Sequence, residues 1–259
     1  MNIYPLLEGT YNVSSQKEFT YLTNDFLPKE GINMNVCPFL IETDDDLILI
    51  DCGFGAIKDN KTFLISKLNS YGFSENDVSI ILISHLHKDH INGLGKIHNN
   101  EFECYFPNAK IFIQEREMDF ALKQETFNYD TTFLKQIKDY KNIVYLNKNK
   151  DRINDVITYE VVGGHVPFQQ VFWFEEDCKI AFFGADNLPQ LNYLKYQAAF
   201  KNDLDGIKAM NDRIEWHKKA QLENWTILFY HGKNTFENFL KITRSFKKHT
   251  LIRNRMIQF

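Results

Sequence analysis

The sequence predicts a layered α/β domain. Three observations predict it. The apolar runs fall in the order strands, then strands mixed with helices, then a second strand set followed by helix, strand and helix. The chain has 259 residues, enough to bury a substantial core. Its composition, 44% hydrophobic and 25% charged, is ordinary for a globular protein. With 6 Pro and 12 Gly against 23 Phe and 12 Tyr, there is little material for long disordered linkers. No internal repeat and no domain boundary stands out, so residues 1–259 are expected to form one domain.

Taken in order, Asn33 to Ile41 and Leu47 to Ile50 read as two strands of a hairpin across the acidic turn Asp44-Asp45-Asp46. Asp51-Cys52-Gly53-Phe54-Gly55 follows as a tight loop. Lys61 to Tyr71 has helical spacing and stops at Gly72. Val78 to Ile83 is a fully buried strand, Ala109 to Ile113 another, and Gln114 to Gln124 a helix with acidic residues in its first turn. Strands are expected at Ile143–Leu146, Ile157–Val162, Gln170–Phe174 and Lys179–Phe183. A long helix then runs from Asp203 to Leu222, a strand from Trp225 to Tyr230 and a last helical stretch from Asn234 to Phe246. The aromatic residues Phe19, Tyr21 and Phe26 read as core packing, with a lid or a homodimer contact as their other uses.

The net charge of −4 gives no electrostatic reason for a nucleic-acid or anionic-membrane partner. No apolar run approaches the length of a membrane span, and Met1-Asn2-Ile3-Tyr4-Pro5 does not open an export signal. Cys37, Cys52, Cys104 and Cys178 are scattered, which suits reduced thiols in a cytoplasmic protein. The basic residues Arg244, Lys247, Lys248, Arg253 and Arg255 read as a solvated helix face, and His98, His217 and His249 as surface residues.

The chemistry concentrates after the buried strand, at Ser84-His85-Leu86-His87-Lys88-Asp89-His90. Side chains alternate along an extended segment, so His85 and His87 point the same way. A turn then brings Asp89 and His90 round beside them. Nitrogen and oxygen donors packed this closely suit a borderline divalent metal such as zinc, and imidazoles at the end of a buried strand need partners. Three further donors sit at strand ends beside glycine: His165 after Gly163-Gly164, Asp186 after Gly184-Ala185, and His231 before Gly232. Asp51 either fixes a ligand imidazole or is a simple turn residue.

These residues carry a family resemblance. The segment His85-Leu86-His87-Lys88-Asp89-His90 resembles the H-x-H-x-D-H signature of the metallo-β-lactamase superfamily. Gly164-His165-Val166-Pro167 resembles its G-H-x-P segment, Gly184-Ala185-Asp186 its G-D segment, Tyr230-His231-Gly232 its closing histidine, and Asp51-Cys52-Gly53 its D-x-G turn. Pro5-Leu6-Leu7-Glu8-Gly9-Thr10 and Phe106-Pro107-Asn108-Ala109-Lys110 are similar to the quorum-quenching lactonase and methyl-parathion-hydrolase-like branch. The resemblance implies a four-layer αβ/βα sandwich and two divalent metal ions, zinc first, with iron, manganese and cobalt also suited to the donors. It implies that His85, His87 and His165 bind one ion, that Asp89, His90 and His231 bind the other, and that Asp186 bridges both. A metal-bridging hydroxide would then attack an ester-type bond in a small molecule, with a lactone as the first expectation and a phosphotriester or other phosphoester as the alternative. Asp89 and Asp186 are the catalytic carboxylates so implied.

Two positions depart from the family pattern. Phe168-Gln169 replaces a glycine and histidine that often follow the G-H-x-P segment, and Pro189 stands where some lactonases carry a tyrosine that assists the leaving oxygen. A non-catalytic metal or ligand-binding protein and a mono-iron persulfide dioxygenase are the other readings. The full set of seven ligands weighs against both.

Overall fold

The computed structural model describes residues 1–16, 18–23, 30–58, 61–232 and 239–241. The chain forms two compact units, Asn2–Asn147 and Lys148–Phe259 with Met1.

The first unit opens with β1 (Asn2–Pro5), β2 (Gly9–Val13), β3 (Phe19–Tyr21), β4 (Ile32–Val36), β5 (Phe39–Glu42) and β6 (Leu47–Ile50). The expected hairpin is present as β5 and β6, paired antiparallel with Glu42 opposite Leu47. Its first arm is shorter than the apolar pattern suggests. Asn33 to Ile41 is divided at Cys37-Pro38, and its two halves belong to different sheets: β4 pairs with β2 in a sheet ordered β3-β2-β4, and β5 joins the main sheet. Proline has no N–H for a ladder, and here its carbonyl accepts the Leu6 N–H at 2.8 Å, at the point where the chain changes sheets.

A short pair, β7 (Ile57–Lys58) and β8 (Lys61–Thr62), leads into α1 (Phe63–Ser70). Thr62 caps this helix, its Oγ1 accepting the Ile65 N–H at 3.1 Å. Leu64, Ile65 and Leu68 form its buried face. The chain continues through β9 (Ile80–Leu82), α2 (Lys88–Ile91), β10 (Gly95–His98), β11 (Glu101–Cys104), β12 (Lys110–Gln114), α3 (Glu115–Ala121), α4 (Thr131–Ile137) and β13 (Ile143–Leu146). The main sheet runs β1-β5-β6-β9-β12-β13. From β6 onward its strands are parallel. That explains why β6 and β9 are continuous apolar runs: both faces of a parallel strand are covered. Ile50 lies opposite Leu82, so the chain leaves β6 and β9 at the same end, and Asp51 and Ser84 emerge side by side.

In the second unit, β14 (Lys150–Arg152), β15 (Ile157–Val161), β16 (Gln170–Glu176) and β17 (Lys179–Phe183) form an antiparallel meander. The β16–β17 turn is made by Asp177 and Cys178, both left-handed at φ 51° and 59°, as a two-residue hairpin requires. After α5 (Leu191–Lys195) and α6 (Gly206–Glu223) the chain returns as β18 (Thr226–Leu228), parallel to β17, and β19 (Phe239–Lys241). Phe183 lies opposite Leu228, so Asp186 and His231 follow strands that end together. On α6, Ala209, Trp216 and Ala220 form an apolar stripe, and Trp216 packs 4.9 Å from Phe182 in a core with Val171, Leu188 and Phe229.

Two expectations are corrected here. Phe239–Lys241, placed in a final helix, pairs antiparallel with β18, because a short apolar run can serve either element and β18 needs a partner. The rest of the Asn234–Phe246 stretch, the five basic residues, His249 and Phe26 lie outside the described residues. His217 is buried on α6, not at the surface. His98 is exposed beside Glu103. Among the described residues no cysteine forms a disulfide, and Cys37 and Cys52 are buried. Among the described residues no helix is long and apolar enough to cross a membrane.

Candidate metal centre

The predicted ligands divide between the units. His85, His87, Asp89 and His90 belong to the first, and His165, Asp186 and His231 to the second.

In the first unit the chain leaves β9 in extended form. His87 is the extended residue before α2, at φ −64° and ψ 149°, and Asp89 and His90 lie within that short helix. The expected clustering is present. His85 Nε2 and His87 Nδ1 are 3.0 Å apart, the His85 and His90 rings lie 4.1 Å apart, and Asp89 Oδ2 is 3.7 Å from His90 Nε2. All four are buried, His90 completely. The structure also decides the role of Asp51. Its Oδ2 holds His90 Nδ1 at 2.7 Å, while Oδ2 and Oδ1 accept the Ser84 hydroxyl and N–H, each at 2.8 Å. Burial pushes the Asp51 carboxyl up, and His90 and Ser84 pull it back. Ser84 Oγ is in turn 3.0 Å from His85 Nδ1.

In the second unit Gly163 and Gly164, both left-handed, turn the chain after β15 and deliver His165. A Cβ at Gly164 would meet the Asn187 amide at 2.6 Å, so glycine permits the close approach. Asn187 staples the two loops: its Oδ1 accepts the His165 N–H and its Nδ2 donates to Gly163 O, both at 2.8 Å. The neighbouring Asp186 carboxylate is shared between two imidazoles, with Oδ2 3.4 Å from His165 Nε2 and Oδ1 3.3 Å from His231 Nε2. Pro189 supplies no hydroxyl here, but its carbonyl accepts the His231 N–H at 2.9 Å and fixes that residue's backbone. Tyr193 is committed to packing, stacked on Phe200 at 3.9 Å and under the Arg213 guanidinium.

Sequence reasoning missed three residues of this cluster. Asp203 Oδ1 holds His165 Nδ1 at 3.0 Å. Asn187 is the staple just described. Arg213, 2% exposed, donates to Asn187 O at 2.8 Å and Ala198 O at 2.6 Å and lies over the Tyr193 and Phe200 rings. Burial lowers its pKa from the guanidinium value, and Asp203 opposes that shift. The first unit holds another unforeseen group, Glu8, whose carboxylate accepts the Phe54 and Ala56 N–H groups at 2.8 and 2.7 Å.

A divalent ion fits these donors. Zinc with tetrahedral ligands at about 2.0–2.1 Å separates neighbouring donor atoms by roughly 3.3 Å. The separations within each unit, 3.0 Å from His85 to His87 and 3.3–3.4 Å around Asp186, match that geometry. In His85, His90 and His165 one ring nitrogen is anchored by Ser84, Asp51 or Asp203, and the opposite Nε2 faces another donor of its cluster. An anchored imidazole of this kind is oriented and held in one tautomer for ligation. Asp203→Asn is therefore expected to weaken metal retention about tenfold, read by competition with a chromogenic chelator; unchanged retention would exclude the anchoring role.

Burial pushes the Glu8 carboxyl up to about 7, against the opposing pull of the Phe54, Ala56 and Gly55 amides, and Asp89 also raises it. Its folded pKa lies above the ordinary 4.5, so its share of stability is complete below about 4.5 and is lost as pH rises through about 7. In metal-free protein a carboxyl-carbon NMR titration should place its midpoint near 7, and a midpoint at the ordinary value would contradict the burial argument.

Comparison with known proteins agrees with this fold. A Staphylococcus aureus protein described as a probable metal-dependent hydrolase superposes with a TM-score of 0.73 at 18% identity, covering 94% of this chain and 97% of that one. AidC, a dizinc quorum-quenching lactonase, gives 0.69 at 21% identity over 95% of each chain. The hydrolase AbOPH of the beta lactamase superfamily gives 0.69 at 21%, covering 95% and 94%. In sequence, the N-acyl homoserine lactonase AiiA of Bacillus thuringiensis subsp. kurstaki is 28% identical over 120 residues, 39% of this chain and 44% of that protein. The match thus spans less than half the length of this curated relative. The fold is that of the metallo-β-lactamase superfamily, as the motifs predicted. A family profile described as Anti-Pycsar protein Apyc1 matches residues 30–199, which include six of the seven predicted ligands and the anchoring carboxylate Asp51, and by this match over most of its length the chain belongs to the Anti-Pycsar protein Apyc1 family.

Proposed function

We propose that this protein is a dinuclear metal-dependent hydrolase that cleaves an ester-type bond in a small molecule. The observation that carries the reading is the set of anchored imidazoles, each presenting its other nitrogen to a neighbouring donor at spacings suited to zinc. His85, His87 and His165 are assigned to one ion, Asp89, His90 and His231 to the other, and Asp186 to both. When bound, such ions lower the pKa of a water and polarise the bond to be broken. The remaining work belongs to the chain. Asp51 and Asp203 hold His90 and His165 in orientation. Asp186 keeps one oxygen toward His165 and the other toward His231. Asp89, buried beside His90 with Oδ2 toward it, is the carboxylate assigned to take the proton that the attacking water gives up, on its other oxygen, and to return it to the leaving oxygen.

A lactone is the first substrate class, as for the lactonases to which the chain is similar. A phosphoester is the second: Pro189 weakens the lactone reading, since this position supplies a backbone carbonyl to His231 and not the phenol that some lactonases carry. The family description adds a role against Pycsar, which we take over as the proposed setting. The proposed partner is a small molecule, with a cytoplasmic location and a homodimer as further expectations. A panel of lactones, simple esters, phosphotriesters and phosphodiesters, cyclic ones included because they are the phosphoryl counterparts of lactones, separates the classes. Turnover of one class carries the reading. A fully metal-loaded protein inert on all of them would overturn it.

A further inference from the structure

Glu8 is a buried carboxylate outside the ligand set. Its own N–H donates to Val36 O at 2.9 Å, which fixes the residue in the corner between β1 and β2. From there the side chain enters the loop after β6. Oε2 accepts the Phe54 N–H at 2.8 Å, Oε1 accepts the Ala56 N–H at 2.7 Å, and the intervening Gly55 N–H also acts on the carboxylate. Gly53 and Gly55 are left-handed at φ 75° and 76°, which turns consecutive amides to one side. A Cβ at Gly53 would lie 2.5 Å from Oε2. The loop is thus shaped around a carboxyl group supplied by the chain itself.

The same loop begins with Asp51, a non-glycine residue held at φ 56°. It is tied to the His90 segment at three points. Asp51 Oδ2 holds His90 Nδ1 at 2.7 Å, the Cys52 N–H donates to His90 O at 2.7 Å, and Gly53 O accepts the Gly93 N–H at 3.0 Å. A left-handed aspartate is strained and persists only where its surroundings fix it. On one side β6 fixes Asp51. On the other side the chain is held by the amides that close on Glu8.

We propose that Glu8 is a positioning residue for the metal ligand His90: by gathering the Phe54–Ala56 amides it fixes the loop that delivers Asp51 to the imidazole. The inference rests on the metal-site reading above. It predicts an effect on metal affinity that ordinary destabilisation does not produce.

The test is Glu8→Gln, which keeps the shape but sets an NH2 against an N–H donor. Zinc affinity is measured by chelator competition alongside Tm, with Leu134→Ala, a core truncation on α4, as the destabilised control. Glu8→Gln should weaken the affinity for one of two zinc ions about tenfold and leave the other unchanged. Combined with Asp51→Asn it should add little to that variant alone, because both act through His90. Leu134→Ala should lower Tm with both affinities intact. Should Glu8→Gln fail to fold, Glu8→Asp, which draws the carboxylate back from the Phe54 and Ala56 amides, should give the same selective loss. Both zinc affinities unchanged in a folded Glu8→Gln or Glu8→Asp protein, or losses that simply add to those of Asp51→Asn, would overturn the proposal while the metal-site reading stands. A wild-type chain that binds no zinc would overturn both.

Discussion

His87→Ala is expected to lower bound metal from two ions per chain to about one and to cut hydrolysis by at least about a hundredfold, since loss of a direct ligand exceeds the 10–100-fold typical of the residues that orient ligands. The effect is chemical rather than structural. His87 precedes α2 but makes no side-chain cap, so alanine leaves the helix start in place. The ring packs against Tyr129 at a centroid distance of 4.8 Å, and losing that contact costs about 1 kcal/mol, which a folded domain tolerates. Metal content and turnover of the best substrate check the result together. Turnover that survives with full metal content would place the chemistry elsewhere.

Asp51→Asn is expected to weaken metal binding about 10–100-fold and to lower kcat in step, with KM little changed, because Asp51 orients His90 and is not assigned to touch substrate. The amide keeps an oxygen for the Ser84 N–H. Its NH2 then faces His90 Nδ1 and the Ser84 hydroxyl, where the carboxylate accepted at 2.7 and 2.8 Å. His90 must either change tautomer, which puts its proton on Nε2 and takes away the lone pair for a metal, or rotate, which moves Nε2. This side chain is fully buried, so no water replaces the lost acceptor. Chelator competition and steady-state kinetics check both parts, and a variant equal to wild type in both would remove Asp51 from the account.

What was legible in the sequence was local or periodic. His85, His87, Asp89 and His90 fall within six residues after a buried strand, so spacing alone announced a cluster. Asp186 and His231 were legible because each ends an apolar run beside glycine, and the parallel register of β17 and β18 then places those run ends together. The anchoring residues were hidden because their partners are distant in the chain. Asp203 read as the start of the long helix. The cap is Asp205, whose side chain accepts the Lys208 N–H, and this leaves Asp203 outside the helix to hold His165, 38 residues earlier. Glu8 gave no local signal, since its partners are backbone amides 46 and 48 residues away and backbone amides have no sequence signature. Asp51 could be read two ways until its contacts to His90 and Ser84 decided between them. Apolar spacing also concealed the break at Pro38, because the run Asn33–Ile41 is continuous in hydropathy while its ladder is not.

The proposed centre holds two metal ions on seven side chains, and elemental analysis of the purified protein counts them without need of a substrate. Close to two divalent ions per chain are expected, zinc foremost, falling to about one in His87→Ala. One iron per chain without zinc, or no stoichiometric metal, would contradict it.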